Sequence, residues 1–378
     1  MRKATIVLTA VLFISAAGML AAQTKSLTFD DFIKIKRVTD PQPSPDGQWI
    51  AYVVTIMDKE ANRGNSDVWI VPTKGGEPRR LTAGPTADMN PRWSPDGRKI
   101  AFISTRSGSP QIWLINPQGG EAYPLATLST GATGVIWSPD GKKLAFTSSV
   151  FPDCPDDECN KKKSEAWDKS KVKGRVFDTL FFRYFNVWRD GTRSHLFVVP
   201  AEGGKPLDVT PGDYDTPPMD LGGNPDYAFS PDGTEIAFVR NTDPELKLAI
   251  GTNNDIFVTA VGGGEIRRIT ANKANDNQPS YSPDGKSIAY RAMARPGYES
   301  DKEDLLLYDR ATKSLKNLTR DLDYSVNETL WSKDGSAIYF SADEKGRNAL
   351  FKVTLGEEKI EKVLDAVTFG SPNLLPDG

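Results

Sequence analysis

A four-residue turn, Ser-Pro-Asp-Gly, recurs along this chain, and no other feature restricts the fold as tightly. The copies are Ser44-Pro45-Asp46-Gly47, Ser94-Pro95-Asp96-Gly97, Ser138-Pro139-Asp140-Gly141, Ser230-Pro231-Asp232-Gly233 and Ser282-Pro283-Asp284-Gly285, with the variants Ser332-Lys333-Asp334-Gly335 and Leu375-Pro376-Asp377-Gly378. Proline presets φ, the aspartate side chain bonds its own backbone, and glycine takes the position where φ is positive. Most copies lead into a strand such as Ile100-Ala101-Phe102-Ile103 and follow a short apolar one such as Val135-Ile136-Trp137. Each copy therefore marks a hairpin.

The turn aspartates are spaced by 50, 44, 92, 52, 50 and 43 residues. A third strand then alternates apolar and polar residues, as in Val68-Trp69-Ile70-Val71 or Ile256-Phe257-Val258. It runs into a second hairpin at Gly75-Gly76, Gly119-Gly120, Gly203-Gly204, Gly262-Gly263-Gly264, Ala311-Thr312-Lys313 or Gly356-Glu357, followed by a fourth strand such as Arg79-Arg80-Leu81-Thr82. Glycine loops between alternating strands are strong hairpin signals. Four strands in each unit of about 40–50 residues predict an all-β fold, a β-propeller of four-stranded blades. A sandwich or solenoid is the alternative, but two hairpins per blade-length unit fit ring closure best. Seven first turns against six second hairpins predict six complete blades and a seventh truncated after its first turn.

A chain of 378 residues exceeds what one compact core serves, and a propeller answers this by giving each blade interface its own core. Hydrophobic content of 38% and charged content of 26% are ordinary for a soluble protein. The basic residues are dispersed apart from Lys161-Lys162-Lys163, without interleaved stacking aromatics, so nucleic acid is not an expected partner. Residues 1–22 carry Arg2-Lys3, an apolar run from Ala4 to Leu20 and then Ala21-Ala22, the pattern of a signal peptide. Export to the periplasm or beyond is expected, with no membrane attachment after cleavage. An uncleaved anchor is the alternative, favoured by the length of the run and by Leu20 where a small residue is preferred. A leading segment at 23–42 with a short helix precedes the propeller at 43–378.

The 92-residue step implies an insertion in blade three, from about residue 150 to 194. Its Lys-rich part, Asn160 to Val172, suits a short helix, and Phe177 to Trp188 is the most aromatic stretch of the chain. Long ordered insertions tend to be functional, whereas aromatics in one also serve to dock it on the propeller face. Cys154 and Cys159 lie within it, with four residues between them. In an exported protein they form a local disulfide; the alternative is a metal site with Asp156, Asp157 or Glu158, although soft thiolates and hard carboxylates rarely choose the same ion. Neither a metal nor a cofactor is expected.

Catalytic machinery is missing from the sequence pattern. No Gly-x-Ser-x-Gly, Walker loop, His-Glu-x-x-His or EF-hand loop occurs, and the single histidine is His195, on the third strand of blade three. The repeated turn aspartates read as structural. Asn275-Asp276-Asn277 could suggest calcium, but it matches Asp88-Met89-Asn90 at the same place in another blade and reads as a turn. Asn317-Leu318-Thr319 and Asn327-Glu328-Thr329 are glycosylation sequons by pattern only.

Three stretches resemble the prolyl oligopeptidase family of serine peptidases, in its bacterial dipeptidyl-peptidase and acylaminoacyl-peptidase-like branch. They are Leu27-Thr28-Phe29-Asp30-Asp31-Phe32 running into the first turn, Asp153-Cys154-Pro155-Asp156-Asp157-Glu158-Cys159, and Lys171 to Phe197 with its Arg183-Tyr184-Phe185-Asn186-Val187-Trp188 core. The turns alone are shared with Tol-system propellers. The resemblance covers the N-terminal half of such enzymes and implies a propeller that caps a C-terminal α/β-hydrolase domain, screens peptide substrates by size and lines their pocket. The hydrolase is absent here, so no catalytic residue is carried over and the chain alone is expected to be inactive. Arg183, Tyr184, Phe185, Asn186 and Trp188 are the pocket candidates. Relatives commonly read Arg-His-Trp-Asp there, so Asn186 replaces a carboxylate that could pair with a substrate ammonium. The competing reading is a stand-alone periplasmic propeller of the Tol type, a protein-interaction module.

Overall fold

The computed structural model describes residues 26–178, 180, 182–219, 221, 226–365, 370 and 372–375. The signal-peptide pattern at 1–22 lies outside them, as does the seventh turn except for Leu375. Six four-stranded antiparallel sheets follow one another, each with its strands in chain order. Blade one comprises Arg37–Pro43, Trp49–Asp58, Arg63–Pro72 and Arg79–Arg80, and blade two Asp88–Trp93, Ile100–Ser104, Gln111–Ile115 and Tyr123–Ala126. Blade three comprises Thr133–Trp137, Lys143–Val150, Arg193–Pro200 and Leu207–Asp208, and blade four Tyr227–Phe229, Glu235–Asn241, Asn254–Ala260 and Arg267–Arg268. Blade five comprises Asp276–Tyr281, Ser287–Ala292, Asp304–Asp309 and Leu315–Asn317, and blade six Val326–Trp331, Ala337–Glu344, Arg347–Thr354 and Lys359–Leu364. The described residues thus form a β-propeller of six four-stranded blades.

The turns are held by one repeated hydrogen-bond set. In blade two, Ser94 Oγ donates to Asp96 Oδ1 (2.6 Å) and accepts from Lys99 N (2.9 Å), while Arg98 N donates to Asp96 Oδ1 (3.0 Å). These bonds hold Asp96 below the usual carboxyl range, the serine contributing most, and the same lowering recurs at Asp46, Asp140 and Asp232. Asp284 and Asp334 are brought down to about 2. The turn glycine has φ near 70°, and a methyl group at Gly97, Gly141, Gly285 or Gly335 would meet the proline ring of the preceding turn. The turns thus touch in series along one end of the propeller.

Tryptophans tie the blades at the same level. Trp93 Nε1 donates to Gln42 O and Trp137 Nε1 to Arg92 O, both at 3.0 Å, and Trp331 Nε1 donates to Ser280 Oγ at 3.2 Å. Each acceptor sits two residues before the serine of the preceding turn. Between successive blades lie five apolar clusters, one for each seam from blades one and two to blades five and six. Phe102, Phe146, Phe238 and Phe340, from the second strands of blades two, three, four and six, are fully buried in them. At roughly 25 cal/mol per Å² of apolar surface, these seams supply most of the force that stacks the blades. Between the last described residues and blade one, Asn373 Nδ2 donates to Pro41 O at 3.0 Å.

Antiparallel pairing puts the Ser-Pro-Asp-Gly turns and the glycine hairpins at one end of every blade and the connections between second and third strands at the other. That second end carries the irregular segments. The chain leaves blade three after Val150, which pairs with Arg193, so the insertion is 151–192 and both of those residues belong to the sheet. A shorter excursion in blade four holds the helix Glu245–Ile250. The leading helix α1, Phe29–Ile33, is capped by Thr28 and Asp31 and tethered by an Asp30–Lys59 ion pair, with Leu27, Phe29, Phe32 and Ile35 exposed. No helix among the described residues is long and apolar enough to cross a membrane.

Candidate functional site

The insertion begins with helix α2, Asp157–Lys169, three residues ahead of the expected Asn160–Val172 at both ends. The local sequence accounts for the shift. Asp156 is the N-cap and accepts from Cys159 N (2.9 Å), Asp157 and Glu158 occupy the positive end of the dipole, and Lys169 lies in the last turn. Exposed pairs Glu158–Lys162 and Glu165–Lys169 support it, each worth only a few tenths of a kcal/mol. Two anchors hold the helix to the blade. Asp157 Oδ1 accepts from Ser129 N (2.9 Å) and Ser129 Oγ (2.7 Å), and buried Asn160 accepts from Phe151 N at 2.7 Å. Cys154 and Cys159 are joined by a disulfide (S–S 2.06 Å) across this junction.

Beyond α2 the chain forms a small hairpin, Arg183–Tyr184 paired with Val187–Trp188, with Phe185 at φ 48° in the turn. Aromatic rings in and before the hairpin pack on one another, and Arg175 links them to Trp167 of α2. Phe177 stacks on Trp188 with centroids 5.8 Å apart, and Phe182 lies 5.5 Å from Phe177. The Arg175 guanidinium sits 5.1 Å from the Trp167 ring and 5.8 Å from Trp188, and Arg183 lies 5.5 Å over Trp188. Cations over aromatic faces are stabilised by the ring quadrupole. These rings stay partly exposed, with Phe177, Phe182 and Trp188 at 36%, 36% and 44%. Phe177 and Phe182 line a cleft of about 1080 Å³ together with α2 and the returning strand, and with Trp167, Arg175 and Trp188 they also line an adjoining aromatic pocket of about 820 Å³.

A second cleft of about 460 Å³ lies where the insertion rejoins blade three. Arg189 pairs with Asp215 (3.1 Å) and Arg193 with Asp213 (2.8 Å), while Asn241 and Asp243 enter from blade four. Asp215 also accepts from Ser194 N at 2.9 Å. Under this cleft Arg240 is buried against Tyr214 and donates to Thr216 Oγ1 (2.8 Å) and Thr210 O (2.7 Å); burial pulls its guanidinium down to about 10.

The five pocket candidates divide. Arg183 and Trp188 join the aromatic and cationic cluster, whereas Tyr184, Phe185 and Asn186 form the hairpin tip, where Phe185 and Asn186 are exposed and Tyr184 meets Phe185 edge-on at 4.7 Å. Trp167, Arg175 and the Arg189–Asp215 pair were not singled out from sequence. Trp167 had a signal, as the sole aromatic of an otherwise polar helix.

His195 is 2% exposed and occupied at both ring nitrogens, Nδ1 by Asp208 Oδ2 (2.7 Å) and Nε2 by Gly212 O (2.8 Å). Its place in the repeat explains this. The residue before the buried start of the third-strand core pairs with the fourth strand in other blades too, as Asp67–Arg80 (2.7 Å), Asp255–Arg268 (2.5 Å) and Asp304–Asn317 (2.8 Å). In blade three the acid and its donor have exchanged strands. Two residues past the ends of these fourth strands stand Thr82, Thr210, Thr270 and Thr319, whose hydroxyls accept from Val68, Leu196, Ile256 and Leu305 N. The only histidine is therefore a structural partner and cannot serve a hydroxyl nucleophile. Among the described residues no three histidine, cysteine or acidic side chains are grouped to hold a metal. Asp276 does answer to Asp88, as the first residue of a first strand, which places Asn275 one residue ahead of that match.

Residues 33–151 match the TolB β-propeller domain family. The chain is 32% identical over 358 residues to dipeptidyl-peptidase 5 of Porphyromonas gingivalis, covering 92% of this chain and 51% of that protein. In fold it is similar to Pyrococcus horikoshii acylaminoacyl peptidase (TM-score 0.64, 18% identity, 89% of this chain and 47% of that one). It is also similar to the propeller domain of the Trilobed protease from Pyrococcus furiosus (TM-score 0.57, 18% identity, 88% and 84%). The fold is thus a TolB-type repeat propeller interrupted in blade three by an insertion. Along nearly its whole length the chain matches the propeller portion of dipeptidyl-peptidases of the prolyl oligopeptidase family. It spans about half the length of the curated relatives it matches.

Proposed function

We propose that this chain is the substrate-screening and pocket-lining propeller of an exported serine peptidase, acting on peptides together with an α/β-hydrolase half. The insertion carries the reading: 151–192 sets an aromatic, cation-bearing cleft at the end of the propeller opposite the turns, on a chain 32% identical to a dipeptidyl-peptidase. Export is supported by the Met1–Ala22 pattern and by the Cys154–Cys159 bond, which suits an oxidising compartment. The nucleophile and its base belong to the hydrolase half, since His195 is committed to Asp208 and Gly212.

The test compares two proteins. The product of the complete gene is expected to cleave dipeptidyl or acyl-aminoacyl amides and to take a fluorophosphonate label, whereas residues 23–378 alone do neither. Stoichiometric labelling of the folded shorter protein would overturn the assignment. So would a complete protein without peptidase activity that binds an envelope protein at nanomolar concentration, the behaviour of a Tol-type interaction module.

A further inference from the structure

Asp255 and Asp276 face one another's blades across the seam between blades four and five, and both are fully buried. Thr270 Oγ1 donates to Asp255 Oδ1 at 3.2 Å and accepts from Ile256 N at 3.0 Å. One hydroxyl carries one proton and can donate to only one carboxylate. Arg268 Nη2 stands 2.5 Å from Asp255 Oδ2, and Asn272 Nδ2 donates to Asp276 Oδ1 at 2.6 Å. Asp276 Oδ2 is buried without a hydrogen-bond partner among the described residues. The other ionisable groups acting on the pair are Asp243, from the blade-four excursion, and Tyr290, from the second strand of blade five. One guanidinium thus faces two buried carboxyls.

The seam between blades one and two shows what is missing. There Asp67 and Asp88 occupy the same two positions, but Arg80 pairs with Asp67 (2.7 Å) and Arg106 with Asp88 (2.8 Å). Strand register fixes the counterpart of Arg106. Asp88 pairs with Ser104 and Asp276 with Ala292, so Arg106 corresponds to Ala294, an exposed residue without charge. Leaving a second carboxylate buried and unpaired costs several kcal/mol, whereas retaining a proton removes the charge and supplies a donor.

We propose that Asp255 and Asp276 hold one proton between them, making the joint between blades four and five pH-sensitive, tight with the proton in place and looser once it is lost. The direction agrees with the burial of both groups, which pushes Asp276 up to about 7 and Asp255 to about 6. Both stand above the value of an unfolded chain, so the stabilisation is complete below about pH 4 and is lost as pH rises towards 7. Asp243 links the seam to the 460 Å³ cleft it also lines, so loss of the proton adds negative charge beside the site.

Infrared difference spectroscopy of the complete chain tests this directly. A carboxylic-acid carbonyl band is expected at about pH 5.5, vanishing by about pH 8, and the Asp276→Asn variant is expected to lack it. Thermal melting is expected to fall by roughly 2–4 °C over the same interval in the wild type and to stay flat in Asp276→Asn. Ala294→Arg restores the blade-two pattern and is expected to abolish both the band and the slope. A wild-type spectrum with no such band, or a band and melting slope unchanged in Asp276→Asn, would overturn the proposal, and neither readout depends on Ala294→Arg folding.

Discussion

At the residue scale, the repeat is written in interchangeable hydrogen-bond pairs. His195 and Asp208 fill the positions of Asp67 and Arg80, so the identity of each residue matters less than the presence of one donor and one acceptor. His195→Ala should lower stability by about 1–3 kcal/mol, because the buried contacts of the imidazole with Asp208 and the Gly212 carbonyl are lost. The double change His195→Asp with Asp208→Arg should recover much of this in a double-mutant cycle read by urea melting. In the turns, Ser94→Ala removes a donor to Asp96 and an acceptor for Lys99 N and should cost about 1–2 kcal/mol. The turn chemistry was legible in the sequence because Ser, Pro, Asp and Gly each have one local job. The His195 pair was not, since its partner stands 13 residues away and appears only when third and fourth strands of several blades are compared.

At the scale of the element, the insertion is a helix and a hairpin tied to blade three by a few polar contacts. The Cys154–Cys159 bond closes a very short loop, so it constrains the unfolded chain little. Its reduction should leave the global melting temperature nearly unchanged and speed amide exchange only around the start of α2. Asp157→Ala removes both contacts to Ser129, one of the two anchors of the helix, and should loosen it, giving faster exchange through residues 157–169 while the blades keep their protection. The existence of this insertion was legible from one anomalous spacing. Its limits were not, because Val150 and Arg193 extend the blade-three sheet by pairing with each other, which no local pattern announces. The candidate site was half legible. The family resemblance picked out Arg183 and Trp188, but Trp167 and Arg175 join them only through tertiary packing.

At the scale of the whole molecule, two sets of carboxyls give the propeller opposite responses to pH. The turn aspartates sit below their unfolded value, so their contribution is present above about pH 4 and is lost as pH falls towards 2. The pair at Asp255 and Asp276 acts in the other direction, between about pH 4 and 7. A plot of unfolding free energy against pH should therefore fall on both sides of a maximum in mildly acidic solution, and Asp276→Asn should flatten the upper side alone. The blade count illustrates what a repeat can disclose. Six blades follow from six pairs of hairpins, because each hairpin is a local event, and the seam clusters follow from strand alternation.

The central claim is that this propeller screens peptides for a peptidase, and kinetics on peptides of graded length test it most directly. For the protein read from the complete gene, kcat/KM is predicted to be highest on short peptides and to fall steeply with length. Trp188→Ala, which opens the aromatic pocket, is predicted to lower kcat/KM on the preferred peptide by roughly tenfold, mainly through KM. Equal cleavage of short peptides and long chains, together with a Trp188→Ala variant indistinguishable from wild type, would contradict the account.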